Sequence, residues 1–297
     1  MNKLQYSFKY ADKRIRRYFM GHGILFHFIA SILWIWALSL LAVLLMGVLI
    51  SMTDGIAYTL DPTRVIPEKL TLKNYATAFK TIEYNDTSYF GMLFNSVWYS
   101  VGCTVCRLIA TTLCAYVVAK YEFKGKKVLY TFIILQMMIP TYSAGVSNYV
   151  YLFNMGLIDT PLFLLGQFAG HGWYFLVMHS YFVGIDSTYK EAAEIDGAND
   201  FVIFGQIILP IAKAAVFAIA IMTFVGLWND YNTPIIYLDS YPTLMSGLFR
   251  YKSITAYTLD LPIYFAGVIL AALPTAILFT CFSGVLMQNL TIGGIKG

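Results

Sequence analysis

The chain has 297 residues, 59% of them apolar and only 12% charged, with a net charge of +4 and a mean hydropathy of +0.66. Soluble domains carry about a quarter charged residues, so this composition excludes an ordinary water-facing globule and makes lipid the solvent for most of the chain. The small net charge does not point to nucleic acid as a partner.

Residues 24–53 contain no charge. That stretch exceeds both the ~20 residues needed to cross a bilayer and the ~7–15 of a signal-peptide core, and predicts a retained first transmembrane helix. Lys3, Lys9, Lys13, Arg14, Arg16 and Arg17 precede it and predict a cytoplasmic N-terminus. Residues 54–90, mixed in charge and holding Pro62 and Pro67, read as an external loop. A second span is expected near 91–119, interrupted by Arg107 and followed at once by Lys120, Lys124, Lys126 and Lys127. A third starts at Val128 with Pro140 as its kink or end. The fourth is expected near 161–183, the fifth near 211–236 and the sixth near 262–287. The class is therefore an all-α integral membrane protein with six transmembrane helices. Alternating the spans from an inside N-terminus puts 13 of the 20 Lys and Arg in cytoplasmic segments and six in external loops, the bias that sets orientation.

The polar segment 185–206 departs from that bias, with Asp186, Glu191, Glu194, Asp196 and Asp200 against Lys190 alone. Residues 189–198 favour a helix, with Asp186 or Ser187 as N-cap. Glu191 and Glu194 lie near its positive end, and Ala192 and Ala193 give it a small, smooth face. Gly197 ends or bends the helix by accepting a positive φ. A second helical stretch, Asp200 to Ile208, leads to Leu209-Pro210, where Pro210 suits the first turn of the fifth span. On the residues alone this is either a hairpin that joins two spans or an element that lies in a partner's groove.

Glu191-Ala192-Ala193, then Gly197, then Ile207-x-Leu209-Pro210 at matching spacing resemble the EAA signature of bacterial ABC-importer permeases. Leu72-Lys73-Asn74-Tyr75, Asn95-Ser96, Phe123-Lys124-Gly125, Gly156-Leu157-Ile158-Asp159-Thr160 and Trp228-Asn229-Asp230-Tyr231 resemble the carbohydrate-uptake branch. Ile185-Asp186-Ser187 and the ending Leu290 to Gly297 are similar to the maltose-type second permease subunit, with one departure: the Pro common between Ile185 and the motif is missing. The resemblance implies a type I ABC-importer permease fold. Residues 1–90 would supply the basic N-terminus, first helix and external loop. Residues 91–291 would form the permease domain with its coupling loop 185–210, and 292–297 a cytoplasmic tail reaching toward the ATPase subunits. It implies that Glu191, Ala192, Ala193, Gly197, Ile207, Leu209 and Pro210 dock an ATP-binding subunit. The implied partners are a second permease subunit, two ATP-binding subunits, an extracytoplasmic solute-binding protein, membrane lipid and a sugar or oligosaccharide. The alternative solutes are a uronic-acid oligosaccharide or glycerol phosphate. The implied setting is a bacterial plasma membrane.

Other polar groups carry two readings each. Arg107 either lines the route or forms an interhelical or snorkelling contact. Trp228, Asn229, Asp230, Tyr231 and Asn232 lie near the external mouth and either meet a sugar or anchor the interface and pack between helices. Residues 239–261, with Phe249, Arg250, Tyr251 and Lys252, form an aromatic external loop that either anchors the interface or, by resemblance, enters the binding protein's cleft. His171 and His179 share a helix face without a carboxylate and are expected to pack rather than hold a metal. Gly166-x-x-x-Gly170 permits close helix contact. The four cysteines, Cys103, Cys106, Cys114 and Cys281, sit in apolar stretches and read as buried thiols. The phosphate-cradling loop of an ATPase does not occur, nor does a catalytic constellation, so no cofactor or metal is expected on this chain. ATP and magnesium are expected in the partners. The mid-span regions lack the paired carboxylates of an ion-coupled secondary transporter.

Overall fold

A computed structural model describes residues 24–64, 66–138, 145–168, 172–254 and 260–290. The basic N-terminal segment, Pro140, Gly170, His171 and the tail from Thr291 lie outside the described residues.

Helix α1 (Ile24–Ser51) is apolar on every side and almost wholly exposed within the chain, as a helix bathed in lipid is. Its far end is closed by a side chain from elsewhere. Asn74 is buried and donates to the carbonyl of Ser51 at 2.9 Å, an acceptor that the helix terminus leaves open, and to that of Thr53, two residues beyond, at 2.6 Å. Tyr75 adds a 2.7 Å hydroxyl contact to Ser51. Two short helices follow, α2 (Gly55–Leu60), capped by Asp54, and α3 (Lys73–Thr81), which carries Asn74 and Tyr75.

Helix α4 (Tyr89–Lys120) starts on a Ser88 cap and is the axis of the bundle. It packs most extensively against α7 (Gly172–Val183) and α10 (Leu209–Trp228). Between α4 and α7 lie α5 (Lys126–Met138), entered through Gly125 at φ +98°, α6 (Gly145–Asn154), and a 3-10 segment, Pro161–Phe168. After α7 come α8 (Thr188–Ile195) and α9 (Asp200–Val202), then a π-helical segment, Ile203–Ile208, that runs unbroken into α10. The chain closes with α11 (Asn232–Tyr237), α12 (Leu244–Ile254) and α13 (Leu261–Leu290), the last packed on α1, α3, α10 and α12.

Four of the described helices are long and apolar enough to cross a membrane: Leu25–Ser51, Tyr89–Lys120, Asp200–Trp228 and Leu261–Ser283. Where the third span is expected, from Val128, the described residues hold α5 to Met138, with α6 in the connection beyond it; where the fourth is expected they hold the 3-10 segment and α7 on either side of residues outside the description. The fifth span is displaced from 211–236. Its helix begins at Asp200 and stops at Trp228, because Asp230 turns the chain by accepting from the amides of Asn232 and Thr233, both at 3.0 Å. The expected loop 239–261 contains a helix, α12, instead. Leu244 and Leu248, four residues apart, are buried against α4 and α13, and the Thr243 hydroxyl meets the Ser246 amide at 3.4 Å.

Buried side chains gather in three clusters along α4. One holds Tyr116, Phe175, Phe182, Ala193, Ile203 and Ile208 at the end bearing α8. A second, around Tyr89, Met92 and Leu248, lies at the opposite end, and a third, around Tyr99, Phe163 and Tyr237, lies between.

Replacing Asn74 with Ala orphans two carbonyls at once. The expected loss is about 1–3 kcal/mol of stability, the usual cost of a buried unpaired polar group. Thermal unfolding of the purified protein in detergent reads it, and Asn74→Asp, which sets a carboxylate against the same carbonyls, is expected to lose more.

Candidate functional site

The polar segment between α7 and α10 is a helix, a turn and a second helix. The Asp186 carboxylate accepts from the Thr188 hydroxyl at 2.6 Å and the Thr188 amide at 2.9 Å, which starts α8. Ser187 stands at the N-cap position but makes no side-chain cap bond, so Asp186 does that work. Those two bonds, the hydroxyl's first, hold the Asp186 carboxyl below its ordinary value.

Gly197 has φ +79°, the left-handed region that glycine enters without a Cβ penalty. A Cβ there would meet nothing within 4 Å, so backbone strain is what excludes side chains at this turn, and crowding plays no part. Asn199 then caps α9 by accepting from the Val202 amide at 2.9 Å. In the π segment the Leu209 amide reaches back five residues to the Phe204 carbonyl. Pro210, which has no amide to donate, follows directly, so the widened turn absorbs the bond that proline removes.

Glu191 and Ala192 are exposed, whereas Ala193 is turned inward and packs in the same cluster as Ile203 and Ile208. The smooth alanine face is therefore split, one residue out and one in. Ile195 and Phe201 flank the Gly197 turn and are 87% and 88% exposed, more than any other large apolar side chain among the described residues. Ile207 joins Asp186, Thr188, Tyr189, Ala192, Ala193 and Asp196 around an open recess of about 530 Å³ under α8. Leu209 is half-buried and Pro210 exposed at the start of α10.

Sequence reasoning missed how this loop is held. The Lys120 ammonium donates to the Ile185 carbonyl, and the Tyr121 hydroxyl donates to Asp200 Oδ1 at 2.6 Å. The Lys190 ammonium lies 3.9 Å from the centre of the Tyr121 ring and 3.3 Å from Glu194. The only signal was the Lys-Tyr pair immediately after an apolar helix.

The other two predicted groups lie at the opposite end of the bundle and meet each other there. Trp228 is buried, with its indole donating to the Ala271 carbonyl at 3.0 Å, so it faces α13 instead of an open mouth. Asn229 bonds back to Val225 at 2.8 Å. Asp230 accepts from the Tyr99 hydroxyl at 3.2 Å as well as from the two amides. Tyr231 stacks on Phe249, centroids 4.4 Å apart. Arg250 lies 5.9 Å over the Tyr84 ring, Tyr251 is half-buried and Asn232 and Lys252 are exposed. In the middle of α4, Arg107 donates to Gln167 Oε1 of the 3-10 segment at 2.7 and 3.0 Å, the interhelical bond among its two readings. His179 lies among rings, 5.0 Å from Tyr130 and 5.7 Å from Phe175.

Residues 108–290 match the family model described as binding-protein-dependent transport system inner membrane component. The chain is 28% identical over 256 residues to the diacetylchitobiose uptake system permease protein NgcG of Streptomyces coelicolor, covering 85% of this chain and 83% of that protein. It is 30% identical over 221 residues to the maltodextrin transport system permease protein MdxG of Bacillus subtilis, covering 72% and 78%. Its fold matches a solved structure of a bacterial ABC transporter involved in the import of the acidic polysaccharide alginate. The TM-score is 0.74 over 86% of this chain and 94% of that one, at 22% identity.

Two expectations follow from the loop geometry. Gly197→Ala should cost about 1–2 kcal/mol, the penalty of a left-handed residue. Gly197→Asn should cost less and Gly197→Val more, as faster hydrogen exchange of the 188–198 amides will show. The Asp186 carboxyl, lowered in the folded chain, stabilises the start of α8 fully above its ordinary value and loses that contribution only as pH falls through the lowered one. An NMR titration should therefore place its midpoint below 3.8, and Thr188→Ala, which removes the leading cause, should move that midpoint up.

Proposed function

We infer the role of this chain from one premise: the chain belongs to the family of binding-protein-dependent transport system inner membrane components. It is an integral membrane transport component and not an enzyme. The reading that fits best is the permease subunit of an importer for an oligosaccharide. It is supported by relatives whose names specify diacetylchitobiose uptake and maltodextrin transport.

The observation that carries the mechanism is the exposed helix-turn at Thr188–Ile195 and Gly197, with Ile195 and Phe201 bare on either side of the turn. A small helix presenting apolar knobs next to acidic residues suits the groove of a soluble subunit. In this reading Glu191, Ala192 and Gly197 enter that groove, while Ile207, Leu209 and Pro210 join the element to α10. Two ATP-binding subunits, holding ATP and magnesium, close and displace the loop. The long helices then rock against those of a second permease, and the pathway opens from one side to the other. An extracytoplasmic binding protein delivers the sugar, with Asn229, Tyr231 and Asn232 and the α12 residues Phe249, Arg250, Tyr251 and Lys252 at its docking end. The N-terminus and the loop are cytoplasmic, which places α1's far end and α3 outside.

Isolation of the intact complex should yield ATP-binding subunits in stoichiometric amount and a binding protein whose retained ligand is a sugar. A complex without them would remove this reading. Orientation is tested by single cysteines at Ser7 and Thr71 in a background free of native cysteines. An impermeant thiol reagent applied to intact cells should label Thr71→Cys and spare Ser7→Cys; the reverse pattern inverts the topology.

A further inference from the structure

Two routes join the loop to the membrane helices. The covalent route runs from α9 through the π segment Ile203–Ile208 into α10. A π turn is rare, occurs mostly as a bulge inside an α-helix, and is frequent at functional sites. The other route is a set of side-chain contacts from the end of α4. Lys120 holds Ile185 where the loop begins. The Tyr121 ring lies beneath Lys190 in its middle, and the Tyr121 hydroxyl is bonded to Asp200 where the loop ends. Tyr116, one turn back on α4, meets the Tyr121 ring edge-on at 5.7 Å and tilts against Phe204 of the π segment at 4.8 Å. The start, middle and end of the loop are thus fixed to one helix terminus. A hydrogen bond to a carboxylate and a cation over a ring are both stronger than their neutral counterparts.

We propose that Tyr121 is the positioning residue that locks the loop to α4, so that α4 carries the stroke across the membrane while the π segment yields. The proposal rests on the reading that this loop receives the stroke. Its far consequence lies at Tyr99, roughly 33 Å along the same helix at 1.5 Å per residue, where α4 holds Asp230 at 3.2 Å. Motion entering at Tyr121 leaves at the turn that seats Tyr231 against Phe249. Burial, then the bond to Asp200, raises the Tyr121 phenol above its ordinary value, so it keeps the proton it donates.

The test uses the full complex with its ATP-binding subunits and needs no identified sugar. The four native cysteines are replaced, and spin labels are placed in pairs at Ser187, which makes no side-chain cap bond, and at exposed Phe94 on α4 or exposed Met222 on α10. Distances are read without nucleotide and with ADP-vanadate trapped. The 187–94 distance is expected to stay constant and the 187–222 distance to shift by about 2 Å or more, the scale of helix displacements in such transitions. Y121F should make the 187–94 distance shift as well. D200A should reproduce that effect from the other partner, while D200N, which keeps an acceptor oxygen, should behave as wild type. A wild-type 187–94 distance that changes on trapping overturns the proposal, as does a constant one in both Y121F and D200A. Failure of ATP-binding subunits to accompany the wild-type chain would overturn the functional reading beneath it, and is visible before any distance is measured.

Discussion

Lipid offers no hydrogen-bond partner, so polar groups within the bilayer must be paired by the protein itself. That constraint organises this molecule. Asn74 closes α1, and within α13 the Trp228 indole donates to the Ala271 carbonyl at 3.0 Å and the Tyr89 hydroxyl to the Gly267 carbonyl at 2.9 Å. Ser96 of α4 accepts from the Leu244 amide at 2.7 Å, and Asn95 donates to the Pro242 carbonyl at 3.0 Å. Each bond joins segments far apart in sequence. Pairing these groups therefore also fixes the packing of one helix on another, and α4 supplies several of these bonds because it runs through the centre.

The two ends of the bundle satisfy the constraint differently. At the end of Tyr84, Asn85 and Asp239, side chains reach the backbone of distant segments: Asn85 donates to the Asp239 carbonyl at 3.0 Å and Asp159 accepts from the Ser240 amide at 2.7 Å. At the end of α8, charged and aromatic side chains hold a loop whose apolar tips face outward. The first arrangement suits a rigid rim. The second suits a part that is pushed, since its grip is concentrated in a few contacts and its bare residues await a surface.

Much of this was legible in the sequence. The charge-free run from 24, the long helix about Arg107 and the apolar stretch from 262 gave α1, α4 and α13, because length and hydropathy suffice to define a helix in lipid. The turn at Gly197 was legible because only glycine takes its φ without strain. What stayed hidden depends on pairs. Tyr121 with Asp200, Arg107 with Gln167 and Asn74 with two carbonyls are juxtapositions that no local pattern encodes. The helix inside 239–261 is hard to see in the sequence because tyrosines and charges mask the Leu244–Leu248 spacing that buries it. The fifth span ran short because the Asp230 turn, not hydropathy, ends it.

The π segment also sets an angle. A π turn holds about one residue more than an α turn, and one residue on a helix is a rotation of roughly 100°. The azimuth at which α8 projects from α10 is thus fixed by a phase of one residue between Ile203 and Ile208. Substitutions at the exposed tips alter how well a partner fits, but a single insertion or deletion in that segment would rotate the whole loop to face a different direction. The direction in which this loop projects from α10 is written in helical phase, separately from the chemistry of its exposed surface.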